Sequence, residues 1–406
     1  MNSSIDSVQR VIGLDSHPDS FTAAIVNGPT PAAAIVEKVF NKIPLAQLQR
    51  WAQKHTTEKD LIVLEASGNS FQVVRWLAQV ERKALVLESC QMGKLKEAHA
   101  NNDKISAIRI GKAYLAGTAK VVWVPDPKTQ ERRDWFHAHR KASARTTQLK
   151  NRLQSYLSDN GVRLKKGTPL TNSKTAAAQI KAARAWSPRQ WQVIEIYLQD
   201  LAQAENQRKN WRSLIAQEVL ADPALLALVR LCGIREMTAF ALGAFIGDIH
   251  RFDNPKKLVK YAGLNPAFDD SGNEQWSGGI GGHGNKHLRC LLIEGAHAIL
   301  RCAKNDLAKW GKKLLARKSQ VNIAVAAVAR KLTVAAWYTL MGKVTPLEEI
   351  EPRVALKVGK IISAIGKESL AQLGQTRKTL RQQTYQTLQN GKLYILDPNK
   401  VYSHAA

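Results

Sequence analysis

Three carboxylates stand where short apolar runs end or a helix begins. Asp15 closes the run Val11 to Leu14, Glu65 closes Leu61 to Leu64, and Asp103 follows Asn102 at a helix start. Strand ends and a nearby helix start can converge on one edge of a sheet even when far apart in sequence. Grouped carboxylates are the hard oxygen donors that Mg²⁺ prefers, and two such ions would clamp the attacking and leaving oxygens of a phosphodiester. Taken singly, each acid reads better as a cap or a surface charge. Three in these contexts, in a strongly basic chain, point to a nuclease-like site.

A second group lies far downstream. Ser271 follows Asp269 and Asp270 and opens a glycine-rich loop that runs to Asn285. Its glycines at 278, 279, 281, 282 and 284 permit close backbone approach and can bring N–H donors against phosphate oxygens. A serine needs a base, a metal or a positively charged pocket before it attacks, and His283, His287 and Arg289 are close in sequence. Local chemistry alone favours a turn serine in a flexible loop.

The elements that must position these residues fall into distinct stretches. Residues 1–127 read as α/β, because β-branched runs alternate with amphipathic segments. Strands are expected at Val11–His17, Ser20–Gly28, Ala33–Val39, Leu61–Ser67, Ala84–Ser89 and Lys120–Val124, with helices at Leu45–Gln53, Phe71–Gln79 and, capped by Asn102, Asp103–Leu115. Residues 128–222 turn helical and highly charged. Ser187-Pro188-Arg189-Gln190 is a capping box with proline at the first helical position. Beyond it Trp191, Ile194, Leu198, Leu201, Trp211 and Ile215 keep near-heptad spacing. That seam fits a coiled coil and an amphipathic helix packed on its own domain about equally. In residues 223–345, Gly233 and Gly247 frame an apolar helix, in the manner of a helix-hairpin-helix that meets a DNA backbone, and further helices run from Lys286 to Met341. Residues 346–406 are basic with weak periodicity, a small helical appendage or tail.

Composition bounds the rest. The 406 residues hold 60 Lys and Arg against 33 Asp and Glu, a formal charge of +27, and 44% of them are apolar. This is a folded chain whose field attracts polyanions, without telling specific from non-specific nucleic-acid binding. No apolar run stands out as long enough to span a bilayer. The N-terminus carries Asp6 and Arg10 and does not read as a signal peptide. Four scattered cysteines without a CxxC pair fit reduced thiols in the cytoplasm.

The two chemical groups together resemble one family. The segments IGLDSH, VLEAS and DKISA are similar to the N-terminal RuvC-like domain of the insertion-sequence-110 transposases, relatives of the Piv DNA invertase. GIREMTAFALGAFIGDIHRF, KLVKYAGLNP, DSG and GGIGGHGNKHLR resemble that family's C-terminal transposase domain in order and spacing. The likeness runs from Val11 to Met341. It implies an RNase-H/RuvC-like α/β domain, a helical, coiled-coil connector that makes a dimer contact, and a mainly α transposase domain. It also implies metal ligands at Asp15, Glu65 and Asp103 for Mg²⁺ (Mn²⁺ in its place in vitro). The fourth ligand position falls on Ser106, where the family usually has aspartate. The family's nucleophile falls on Ser271, and Gly278, Gly284, Asn285 and Arg289 match the motif that follows it, read as nucleic-acid-binding. Such enzymes exchange DNA strands through a serine–DNA phosphodiester as a dimer of dimers. A structured RNA from the element pairs with donor and target DNA, a division of labour known from other RNA-guided systems. The rival readings are a Piv-like invertase without guide RNA, a catalytically silent nucleic-acid-binding protein, and a junction-resolving nuclease that uses the carboxylates alone.

Overall fold

Val11, Ile12 and Leu14 form the uninterrupted apolar run of a strand covered on both faces, and the sheet is built around it. The structure, a computed structural model, describes residues 10–89, 102–165, 167–271, 274–318, 320–349 and 351–390. Contacts divide the chain into two compact units, Met1–Asp126 and Pro127–Ala406.

Unit 1 holds a six-stranded sheet: β1 (Arg10–Ser16), β2 (Ser20–Asn27), β3 (Ile35–Pro44), β4 (Leu61–Glu65), β5 (Lys83–Leu87) and β6 (Val121–Val122), in the order β3-β2-β1-β4-β5-β6. β1, β2 and β3 are antiparallel neighbours, β4 and β5 run parallel to β1, and β6 is antiparallel to β5. Side chains alternate across β1. Ile12 and Leu14 pack with Leu48 and Trp51 of helix α1 (Leu48–His55) and with Val73 and Leu77 of α2 (Ser70–Ala78). Val11 faces the other way, in one cluster with Leu61, Val63 and, from α3 (Asp103–Leu115), Ile110 and Ala113.

Three differences from the sequence reading stand out. β3 continues to Pro44, because it is an edge strand, mostly exposed and with two register irregularities against β2, which dilutes its apolar signal. The helix expected at 45–53 opens with a 3-10 turn, Leu45–Gln47, before α1. β6 keeps only two of its five expected residues.

Unit 2 is helical. α4 (Pro127–Asp159) and α6 (Pro188–Ala221) lie antiparallel, with α5 (Ser173–Ala183) against them. The capping box at Ser187 and Gln190 is present. Ile194, Leu198 and Leu201 are buried together with Leu149, Leu153 and Leu157 of α4 and Ile180 of α5, so the seam of α6 is covered by its own chain. At the other end Arg132 pairs with Glu218 and Asp222.

The rest comprises α7 (Pro223–Val229), α8 (Glu236–Ile246), α9 (Pro255–Tyr261), a β7–β8 hairpin (Pro266–Ser271 and Glu274–Ile280), α10 (Lys286–Cys302), α11 (Asp306–Lys318), α12 (Val321–Leu340), α13 (Glu351–Ile365), α14 (Lys367–Gln372) and α15 (Arg377–Asn390). One core joins Phe136 and Ile215 to α8, α10 and α12, and to Val354, Val358, Ile362 and Leu388. Residues 128–222, 223–345 and 346–390 therefore contribute to a common interior. Every residue of α8 but the half-buried Met237 is buried, and Gly233 and Gly247 frame it at φ 82° and 59°. A buried ion pair, Arg230–Glu348 at 2.5 Å, ties the C-terminal part to the end of α7, and Lys357 Nζ donates to the carbonyls of Val229 and Leu231.

α12 corrects the expectation about apolar runs: by length and composition it could cross a bilayer. Arg330 and Lys331 interrupt it in sequence, and 61% of its apolar window is buried in the core, the placement of a core helix. Cys232, Cys290 and Cys302 are free, and burial pushes the Cys232 thiol up to about 11. Cys90 lies outside the described residues.

His139 on α4 is buried, and neither ring nitrogen has a hydrogen-bond partner among the described residues. Burial first, then Arg208, Arg212 and Arg140, hold its pKa down at about 4. Between pH 6.5 and 4 the unfolded chain takes up a proton that the native state refuses, so stability falls as the pH drops through that window. The expected loss from this group is about 2–3 kcal/mol by pH 4.5. Urea unfolding of His139→Leu and wild type at pH 7.5 and 4.5 measures it. An acid sensitivity unchanged in the variant would contradict the assignment.

Candidate functional site

The carboxylates of unit 1 owe their positions to backbone contact. A Cβ at Gly13 would sit 1.9 Å from the Ala107 carbonyl oxygen and 2.7 Å from the Gly111 nitrogen, and one at Gly111 would sit 3.1 Å from Val26 Cγ2. With glycine at both positions, α3 lies directly on β1 and β2. The Asn102 side chain accepts from Ile105 N and fixes where α3 starts, and Asp103 in the first turn is favoured by the helix dipole. The start of α3 thus comes to the end of β1, where Asp15 stands opposite Thr22 of β2.

Asp15, His17 and Asp103 gather there, with one donor atom of each within 4.8 Å of the others. His17 Nε2 lies 3.5 Å from Asp103 Oδ1 and 4.0 Å from Asp15 Oδ2, and the side chains of Asp15, His17 and Asp103 are 22%, 47% and 31% exposed. Two carboxylates this close repel each other unless a cation or a protonated partner intervenes. Oxygen donors joined by an imidazole are a donor set that suits a divalent ion. Glu65 ends β4, one residue beyond the Leu14–Leu64 pair of the parallel β1–β4 ladder. It stands on the same sheet edge as Asp15 but is not one of the three gathered donors. Ser106 is one turn along α3 from Asp103, half-buried, with its N–H donating to Asn102 O.

The sequence reading missed His17. Its signal was present: two residues after Asp15 in an extended segment, it returns to the same side of the strand. A polar cluster behind it was also missed. Ser16 Oγ is 3.3 Å from Ser67 Oγ and donates to Asn69 Oδ1, and Asn69 Nδ2 donates to the His17 carbonyl at 2.9 Å. His17 N donates to Ser20 O at 2.8 Å. The backbone that carries His17 is held from both sides.

In unit 2, Ser271 is the last residue of β7 and pairs in register with Glu274. Within the described residues, the expected glycine-rich loop from Ser271 to Asn285 thus holds strand at Ser271 and Glu274–Ile280 and loop at 281–285. Phe268, Trp276 and Ile280 suit strands, and a two-residue Gly-Asn link between strands is a hairpin signal that the later glycines obscured. Gly272 and the side chain of Ser271 lie outside the described residues. Gly278 falls within β8.

Gly284, Asn285 and Arg289 hold the junction between hairpin and helix. Gly284 has φ 89°, and a Cβ there would sit 2.6 Å from Gly263 Cα. The Asn285 side chain caps α10 by accepting from His287 N and Leu288 N, and its own N–H donates to Tyr261 O at 2.7 Å. Arg289 Nη1 donates to the His283 carbonyl at 2.9 Å. His287 stacks on Phe245 at 5.6 Å and meets the His137 ring at 5.2 Å. Burial there, then the neighbouring His137, Arg140 and Lys286, lowers its pKa.

Comparison with known proteins bears on the second unit most directly. Residues 226–311 match the family described as Transposase IS116/IS110/IS902 family. The chain is 26% identical over 242 residues to the transposase for insertion sequence element IS1111A of Coxiella burnetii, covering 59% of this chain and 66% of that protein. It is 32% identical over 129 residues to a probable family 20 transposase of Pseudomonas aeruginosa, 31% of this chain and 38% of that one. With the transposase for insertion sequence element IS1328 of Yersinia enterocolitica it shares 22% identity over 307 residues, 75% and 89% of the two lengths. The chain thus spans less than two thirds of the length of the first two relatives. The matched block starts in α7 and ends in α11, so it takes in the buried helix α8, the Ser271 hairpin and the capped start of α10, and over that block the chain carries a domain similar to that of the IS116/IS110/IS902 transposases.

Proposed function

We propose that this chain is the recombinase of an insertion sequence, cutting and rejoining DNA strands through a bond between Ser271 and DNA, with a divalent cation at the carboxylates of unit 1. The observation that carries the reading is the meeting of Asp15 and Asp103 at one sheet edge in a chain with a transposase-family block at 226–311. Three antiparallel strands followed by two parallel ones, in the order β3-β2-β1-β4-β5, support an RNase-H-like, RuvC-type unit. Glu65 joins the site as a further ligand in this reading. A bound Mg²⁺ would neutralise charge at the phosphate.

The chemistry at Ser271 is a transesterification. The serine oxygen bonds to phosphorus, a bridging phosphorus–oxygen bond breaks, and the departing sugar oxygen takes up the serine proton. The number of phosphoesters is unchanged, so rejoining needs no outside energy source. Donor and target DNA, and an element-encoded guide RNA, are the partners that the formal charge of +27 suits. Gly278, Gly284, Asn285 and Arg289 shape the backbone that meets them. The same reading makes the protein a dimer of dimers working in the cytoplasm. Because Ile194, Leu198 and Leu201 are covered within the chain, contact through the middle helices would fall to outward positions such as Val193 and Ile196, 36% and 59% exposed.

A nicked DNA substrate that traps the reaction midway tests this. Wild type should give a protein–DNA adduct on a denaturing gel, with Ser271 as the modified residue by peptide mapping. Ser271→Ala should lose the adduct and at least about a thousandfold of recombination, about 4 kcal/mol of barrier, while still binding nucleic acid. Recombination by Ser271→Ala, or an adduct on another residue such as Ser277, overturns the assignment.

A further inference from the structure

The cation site expected from oxygen donors alone lacks its fourth carboxylate, since position 106 is serine. The structure puts a nitrogen donor beside the two acids that do meet: His17 Nε2, at 3.5 Å and 4.0 Å from Asp103 Oδ1 and Asp15 Oδ2. Donors that share one ion at about 2.1 Å stand roughly 3 to 4 Å apart, depending on the angle between them, and both separations fall in that interval. The backbone that carries the imidazole is also held in place. Its N–H donates to Ser20 O, and its carbonyl accepts from Asn69, whose own side chain is fixed by Ser16 and Ser67.

Resting on the reading of this sheet edge as a cation site, we propose that His17 is a ligand of the ion and makes the site prefer Mn²⁺ or Co²⁺ to Mg²⁺. Imidazole nitrogen suits the borderline transition ions, whereas Mg²⁺ takes oxygen donors and gives up its waters reluctantly. A site of two carboxylates and an imidazole therefore gains more with Mn²⁺ than with Mg²⁺. The exposed imidazole can turn towards an ion without disturbing the core.

The test uses the full-length protein stripped with a chelator and titrated with Mn²⁺, the free ion followed by its electron paramagnetic resonance signal and Mg²⁺ added as competitor. His17→Gln should weaken Mn²⁺ binding about tenfold or more and Mg²⁺ binding by less than about threefold, lowering the preference between them. Pulsed resonance on the Mn²⁺-loaded wild type should show coupling to an imidazole nitrogen that is absent in His17→Gln. Asp15→Asn should weaken both ions. If Asp15→Asn abolishes binding but His17→Gln keeps the nitrogen coupling or the ion preference, this inference falls and the carboxylate site stands. If Asp15→Asn binds both ions like wild type, the site itself is elsewhere and both readings fall.

Discussion

Asp15→Asn is expected to lower DNA strand cleavage by about a thousandfold or more, equivalent to about 4 kcal/mol of transition-state stabilisation, while leaving thermal unfolding nearly unchanged. The substitution keeps size and hydrogen-bonding capacity but removes the charge. Asp15 is half-buried at the end of β1, past Ile12 and Leu14 and outside the apolar clusters of unit 1, so packing has little to lose. The chemistry has much to lose, because one of two carboxylates that approach within 4.8 Å would no longer attract a cation. Gel-based cleavage of a labelled substrate measures the effect. Full cleavage by Asp15→Asn, or by wild type in excess chelator, would sink the metal-dependent reading.

Gly13→Ala should be the most damaging single-methyl change in unit 1, costing about 2–4 kcal/mol and abolishing tight Mn²⁺ binding together. The added carbon would lie 1.9 Å from a carbonyl oxygen and 2.7 Å from a backbone nitrogen of α3. Neither atom can swing aside as a side chain would, so the helix must lift. Lifting it thins the contact of Ile110 and Ala113 with Val11, Leu61 and Val63, and draws Asp103 away from Asp15. Urea unfolding followed by fluorescence, with Mn²⁺ titration on the same samples, reports both effects. A variant within about 0.5 kcal/mol of wild type that still binds Mn²⁺ would show that α3 does not rest on β1 through these glycines.

Much of unit 1 was legible because its central strands are written twice, in apolar runs and in their punctuation. Leu61–Leu64 ends at Glu65, and Asn102 caps the helix that carries Asp103, so the strand end and the helix start could be read together with the acids they carry. His17 was harder. Its role depends on Asp103, which lies 86 positions away by numbering and arrives only when the Gly13 crossing forms. The crossing leaves no apolar signature, since its contact is between backbones. The heptad seam of α6 was visible at Ile194, Leu198 and Leu201, but a hydrophobic stripe does not say whether its partner belongs to the same chain. Here Leu153 and Leu157 supply it. The Ser271 hairpin was hidden for the opposite reason: glycines at 278 and 279 suggested a loop, while pairing with Phe268 and its neighbours made a strand.

The shared interior of unit 2 also has a consequence for synthesis. Its members run from Phe136 to Leu388, and Arg230 finds its counter-charge at Glu348. Chains that must join such distant segments fold slowly, because loop closure comes before the reward. A nascent chain emerges from its N-terminus, so the sheet of unit 1, with its short β1–β2 hairpin, can close early on the ribosome. The helices around Ser271 cannot finish packing until the residues beyond Ile365 have left the tunnel. Until residue 348 has emerged, Arg230 lacks the glutamate that it pairs with once buried, and the serine end of the protein is the last to mature.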